Sequence, residues 1–163
     1  MGTSKQRMEN GNYSKQLILE KLAENIPFEI KKRIVEIASS NEIKPVYRVD
    51  KKGDLSEEFL WSSFKEFPGR FDETRPGTYS TSVYDDPDQC DRFIKSLKGK
   101  IRKQYPRPVI RIGQTGHGLS VHTMDYDDDY TDPNHIDWWI FKEEMQEAAR
   151  AFEVYDGTQN MEQ

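Results

Sequence analysis

Gly77-Thr78-Tyr79-Ser80-Thr81-Ser82-Val83-Tyr84-Asp85-Asp86-Pro87-Asp88-Gln89-Cys90-Asp91-Arg92-Phe93 carries the densest structural signal in the chain. β-Branched, aromatic and hydroxyl-bearing residues fill Thr78 to Tyr84, which predicts a strand. Asp86 and Pro87 then offer an N-cap and a first helical position, so a helix follows. Its inward residues are expected to be Cys90, Phe93, Ile94, Leu97 and Ile101. Within the strand, Ser80 and Ser82 share one face while Tyr79 and Thr81 share the other. Two serines on one face forgo apolar contact. They carry information if that face lines a cleft and none if it is solvated.

Upstream, Leu17, Ile18, Leu22 and Ile26 recur at helical spacing. Asn25 and Pro27 open a second helix that buries Ile30, Ile34, Ile37 and Ala38. These two helices form a hairpin over residues 13–41, preceded by a loose stretch at 1–12. Val46-Tyr47-Arg48-Val49 alternates as a strand and turns at Lys51-Lys52-Gly53. Asp54 with Glu57 resembles a capping box for a helix burying Phe59, Leu60, Phe64 and Phe67.

Downstream, Val109 to Ile112 and Leu119 to His122 are two further strands, joined by a tight Gly113-to-Gly118 hairpin that exposes His117. An acidic loop spans 125–134, followed by a strand at 136–141, a helix at 143–151 and a last strand at 152–155. A loose tail begins at 157. The fold class is therefore α+β. A single domain over 13–156 sets the helical hairpin before a core at 45–156 of one or two small antiparallel sheets with packed helices.

The chain has 163 residues, 34% hydrophobic and 33% charged, enough for one core and not for two. Aromatics at 12% supply apolar area that a disordered chain would lack. A net charge of −5 gives no global field for nucleic acid or an anionic membrane. The basic residues Lys95, Lys98, Lys100, Arg102, Lys103, Arg107 and Arg111 are read as a solvated face, with phosphate contact as the alternative. Cys90, alone, forms no internal disulfide and is read as a core residue. No apolar run is long enough to span a bilayer, and a cytoplasmic location is expected.

Arg48 is the first candidate site residue. A guanidinium in an apolar strand needs partners for five donors. It serves either a structural ion pair or a bidentate clamp on a phosphate. His117, His122 and His135 lie near Asp125, Asp127, Asp128, Asp129 and Asp132, which leaves a divalent-cation site open. The run from Asp125 is not an EF-hand loop, since Tyr130 holds the glycine position and Ile136 the position of the bidentate glutamate.

Tyr47-Arg48 followed by Tyr79-Ser80-Thr81-Ser82, then Asp86-Pro87 and Phe93, resembles the ADP-ribosyltransferase superfamily of the arginine-serine-glutamate type. The resemblance spans roughly Val46 to Tyr155 and rests on three short pieces. His135-Ile136-Asp137, with Trp138-Trp139 and the later Phe152-Glu153-Val154, stands where the family has its Glu-x-Glu or Gln-x-Glu element. The resemblance implies an ADP-ribosyltransferase-like fold with NAD as substrate. Arg48 would hold its pyrophosphate or nicotinamide ribose. Ser80 would bond that ribose or orient the catalytic acid, while Thr81 and Ser82 brace the strand. Asp137 would take the glutamate's role, one methylene shorter, with His135 secondary and Trp138 or Tyr79 stacking on nicotinamide.

Mono-ADP-ribosyl transfer to a protein acceptor, or NAD glycohydrolysis, is the expected activity. Two other classes stand beside it. One is an acidic interaction or inhibitor protein of phage or mobile-element type, acting through the 125–132 loop. The other is a metal-assisted hydrolase built on the histidines.

Overall fold

Every residue of the strand His135–Ile140 is buried, which belongs to a strand covered on both faces. A computed structural model describes residues 15–159. The loose stretch expected at 1–12 and residues 160–163 of the expected tail lie outside that range. Six strands form one antiparallel sheet: β1 (Val46–Asp50), β2 (Thr81–Tyr84), β3 (Val109–Gly113), β4 (Gly118–His122), β5 (His135–Ile140) and β6 (Glu153–Val154). Their order is β4-β5-β2-β1-β3-β6, so β5 and β2 lie inside the sheet. Helices α1 (15–21), α2 (Phe28–Ile37), α3 (Ser63–Glu66), α4 (Pro87–Ser96), α5 (Gly99–Lys103) and α6 (Met145–Arg150) complete the α+β architecture.

Register sorts the side chains onto two faces, because directly opposed residues point the same way. On one face Val46, Val83, Ile136, Trp138 and Ile140 pack with Phe59, Leu60, Ala148 and Phe152. The other face has two separate covers. The α1–α2 hairpin lies over the β4–β5 end, where Leu22, Ile26 and Ile34 meet Leu119, Trp139 and Tyr79. Helix α4 lies over the opposite end, with Cys90 against Tyr47 and Ile112. Between the covers, Ser82 of β2 pairs with Asp137 of β5, and Tyr84 with His135. No helix covers that strip; Thr123, Tyr126 and Tyr130 fold over much of it, and a cleft opens beside them.

Several expected elements are corrected. A single helix over Asp54 to Phe67 does not form; a 3₁₀ turn at Glu57–Leu60 is separated from α3 by an extended Trp61. The cause is tertiary. Arg48 binds the carbonyls of Phe59 and Trp61, and Thr81 Oγ1 donates to that of Leu60 across 2.6 Å. Carbonyls held from outside are not available to an i→i+4 ladder. Asp54 does not form a capping box; its Oδ1 accepts from Ser56 N across 3.1 Å in a local turn.

The strand expected from Thr78 starts only at Thr81, because Pro76–Tyr79 winds into a 3₁₀ turn. The helix from Asp86 does begin as expected, with Asp86 accepting from Asp88 N and Pro87 at its first position. It ends at Ser96, and α5 restarts at Gly99, which has φ +63°. The break leaves Phe93 and Ile101 exposed instead of inward.

The expected β3–β4 hairpin is also absent, since the two strands lie far apart in the sheet order. Residues 113–118 cross over instead. Thr115 bonds Ile43 in both directions, and its hydroxyl lies 2.9 Å from Ser120 Oγ. Gly118 then lands opposite Ile140, where a Cβ would press on the Trp139 carbonyl oxygen and stand 2.9 Å from Ile140 Cα. Gly118→Ala is expected to lower stability by about 1–3 kcal/mol, through overpacking at the β4–β5 pair. A urea midpoint equal to wild type would show that the close approach is dispensable.

Candidate functional site

Asp137 is 2% exposed, and a carboxylate that deep is tolerated only when its oxygens have hydrogen-bond donors. Three hydroxyls supply them. Ser80 Oγ lies 2.5 Å from Oδ1, while Thr123 Oγ1 and Tyr126 OH donate to Oδ2 across 2.9 and 2.5 Å. Ser80 Oγ is also 2.9 Å from Gly77 O, but its single proton goes to the nearer, charged acceptor. Burial, reinforced by the charge of Asp137, raises the Tyr126 phenol pKa and keeps it a donor. Burial likewise pushes Tyr130, on the same loop, up to about 12.

His135 joins this cluster with a defined tautomer. Thr123 Oγ1 commits its proton to Asp137, so across the 2.6 Å contact it accepts from His135 Nδ1–H. Burial lowers the His135 pKa, more than the opposing pull of Asp137 and Asp132 raises it, and the ring is neutral at pH 7. Its Nε2 is then an acceptor, and Ser82 Oγ, 2.9 Å away, donates to it. Tyr130 and Tyr84 flank the ring at centroid distances of 4.9 and 5.4 Å and fix its plane.

Arg48 reaches the cleft by an indirect route. Strand alternation sets it on the face of Val46 and Asp50, but β1 meets β2 only where Tyr47 opposes Tyr84. In the gap beyond, Arg48 Nη1 donates to Ser82 O and Nε to Phe59 O, each across 2.7 Å. Nη2 makes only long contacts, 3.5 Å to Trp61 O and 3.8 Å to Glu66. Of the two sequence readings, the structural ion pair has a counterpart in Glu66, though at the long distance of 3.8 Å. The main partners are carbonyls, and they leave one nitrogen lightly engaged.

The cleft has two lobes. One, of about 810 Å³, is lined by Arg48, Lys51, Trp61, Phe71, Tyr84, Arg92 and Phe93. The other, of about 440 Å³, is lined by Gly77, Tyr126, Tyr130, His135 and Asp137. Ser63, Phe71 and Ser82 border both. Arg48, Ser82, His135 and Asp137 therefore line one depression with Ser82 at the junction, while Ser80 is fully buried and reaches it only through its bond to Asp137.

Three expected site residues lie elsewhere. Trp138 has no exposed surface and packs on Phe152, so it does not stack on a ligand. Tyr79 is buried against Phe64 beneath the hairpin, with its hydroxyl on Glu73 O. Thr81 braces β2 through Leu60 O.

Residues missed from sequence are Thr123, just ahead of the expected acidic loop, and Tyr126 and Tyr130 within it. Tyrosines at 126 and 130, four apart among aspartates, were the available signal. Asp127 faces Arg75 at 3.9 Å and Asp132 bonds Gln89, so part of that loop's charge is engaged internally. His117 and His122 pair separately with Glu144 and Asp85, at 3.0 and 2.8 Å. Among the described residues no three ligating side chains cluster for a metal. Cys90 is buried and its thiol pushed up to about 12, as befits a core residue. No helix among the described residues is long and apolar enough to cross a membrane. Comparison with protein-family models, curated proteins and solved structures returns no match to this chain.

Proposed function

We propose that the protein binds NAD along this cleft and breaks its bond to nicotinamide, passing ADP-ribose to a protein acceptor or to water. The observation that carries the reading is the placement of Asp137. It is a hydroxyl-capped carboxylate at the floor of one lobe, continuous through Ser82 with a lobe walled by Arg48 and aromatic rings. A dinucleotide has one charged linkage and two flat rings, which suits a guanidinium with a lightly engaged nitrogen among aromatic walls.

The chemistry then follows from charge. As the N-glycosidic bond breaks, its electron pair moves onto the nicotinamide nitrogen and positive charge develops on the ribose. A fixed carboxylate in a site partly closed to water stabilises that charge without reorganising. Ser80, Thr123 and Tyr126 hold the carboxylate in place.

The test is NAD titration by calorimetry on the full chain, wild type beside Arg48→Lys. Lysine keeps the charge and loses the fork, so NAD affinity is expected to weaken about tenfold, about 1.4 kcal/mol. Alanine is a poor choice, because it would also leave the carbonyls of Ser82 and Phe59 without their donor. Folded wild-type protein that gives no heat with millimolar-range NAD would remove the reading.

A further inference from the structure

The hydrogen bonds around His135 have a direction, and that direction ends on a hydroxyl in the cleft. From Asp137 Oδ2 outward run Thr123 Oγ1, His135 Nδ1, His135 Nε2 and Ser82 Oγ, with separations of 2.9, 2.6 and 2.9 Å for the three hydrogen bonds. Each proton assignment is forced by the one before it. The outermost atom is the hydroxyl oxygen of a serine that lines both lobes. A serine hydroxyl donating to a neutral imidazole, oriented from its far nitrogen, is the arrangement of an activated nucleophile. Nothing in NAD binding as described above requires it.

From this geometry we infer that Ser82 is a nucleophile with His135 as its general base, and that the cleft cleaves carboxylic esters carrying an anionic aromatic portion. The substrate class follows from the larger lobe, where Arg48 and Arg92 stand among Trp61, Phe71 and Phe93. Ser82 Oγ attacks the ester carbonyl as its proton passes to His135 Nε2, and the carbonyl pair moves onto oxygen. Arg48, a cation of the same lining, donates from Nη1 to the Ser82 carbonyl across 2.7 Å. Collapse of the adduct expels the alcohol, which takes the proton from Nε2 and leaves an acyl-Ser82. Water, deprotonated by the same imidazole, then releases the acid and restores the hydroxyl.

Thr123 is a positioning residue in this scheme. It fixes the tautomer and connects the ring to the charge of Asp137, which favours the imidazolium as it forms. The groups facing His135 are Asp137 on its own strand, Asp132 and Tyr130 on the preceding loop, Tyr84 on β2 and Arg48 on β1. Burial outweighs the two carboxylates, so reactivity should rise with pH through a midpoint below the ordinary histidine value of 6.5.

The experiment is labelling of the full chain by a fluorophosphonate, with the site mapped by peptide mass spectrometry, and p-nitrophenyl acetate turnover as the companion assay. The expected result is a single phosphonylated residue, Ser82. Label at that peptide disappears in Ser82→Ala, and its rate falls about 10²-fold in His135→Gln. Thr123→Ser preserves the relay and should label at the wild-type rate, whereas Thr123→Val should slow it. That pair keeps the test decisive should the histidine variant fail to fold. Absence of label on folded wild type, label at another residue, or equal rates in Thr123→Ser and Thr123→Val would overturn the inference. NAD calorimetry on the same sample reads the other proposal separately, so either can fail alone.

Discussion

Asp50→Ala is expected to destabilise the fold by about 3–5 kcal/mol, the usual consequence of leaving a buried charge without its partner. Asp50 is 1% exposed and its Oδ2 accepts from Arg111 Nε across 2.7 Å, while Arg111 is itself 8% exposed. The same carboxylate accepts from Leu55 N at 2.9 Å and Lys52 N at 3.3 Å. It thus holds a turn in which Gly53 and Leu55 both have positive φ, at 65° and 52°. Leucine adopts that conformation at a cost of order 1 kcal/mol, and the carboxylate offsets it.

Urea denaturation should show the loss as a lower midpoint at unchanged slope. The double variant Asp50→Ala with Arg111→Met should recover much of it, because the orphaned guanidinium goes with its partner. A single-variant loss under about 1 kcal/mol would mean that water reaches Arg111 and that the pair is not structural. The effect bears on function as well as stability, because β1 also carries Arg48 to the cleft.

How much of this was legible in the sequence depended on how local each cause was. The strands around Arg48 and Ser82 and the start of α4 at Asp86-Pro87 were legible, since alternation and capping act within a few residues. The break at Trp61 was not, because its cause is a guanidinium and a hydroxyl from two distant strands pulling on consecutive carbonyls. The β3–β4 hairpin failed for a similar reason. Gly113 and Gly118 looked like turn residues, but each is a place of close approach, Gly113 beneath the Phe152 ring and Gly118 beneath β5.

At the site, Ser80 and Ser82 were singled out by type and spacing and Asp137 only through the resemblance; the structure adds that Ser80 bonds Asp137 and that Ser82 pairs with it across β2 and β5. Their hydrogen-bond order was not legible, because it depends on Thr123, just ahead of the acidic loop, and on Tyr126 within it folding back onto Asp137. Trp138 and Tyr79 show the converse error: aromatic residues beside polar ones in sequence can still be wholly committed to packing.

Asp137→Asn should lower nicotinamide release from NAD about 10²- to 10³-fold while changing NAD affinity by less than about threefold. The asymmetry is the argument. A carboxylate that acts on charge developing in the transition state contributes little to ground-state binding, which the Arg48 lobe is expected to supply. Asparagine preserves the shape of the side chain, and the change is confined to charge and one donor pair. Rotation of the Thr123 and Tyr126 hydroxyls can accommodate the new amide, so the stability loss should stay near about 1–2 kcal/mol.

Asp137→Glu is the informative companion. Asp137 is 2% exposed and its oxygens are held by three hydroxyls at 2.5 to 2.9 Å, so an extra methylene would have to push them aside. The longer acid should therefore lose stability by about 1–3 kcal/mol and not gain activity, even though glutamate is the residue type that the sequence resemblance would lead one to expect. The shorter acid belongs with the three hydroxyls that surround it. Activity retained in Asp137→Asn would falsify that role for the carboxylate. Activity raised in Asp137→Glu would instead show that the hydroxyl cage yields, and that reach, not enclosure, limits the site.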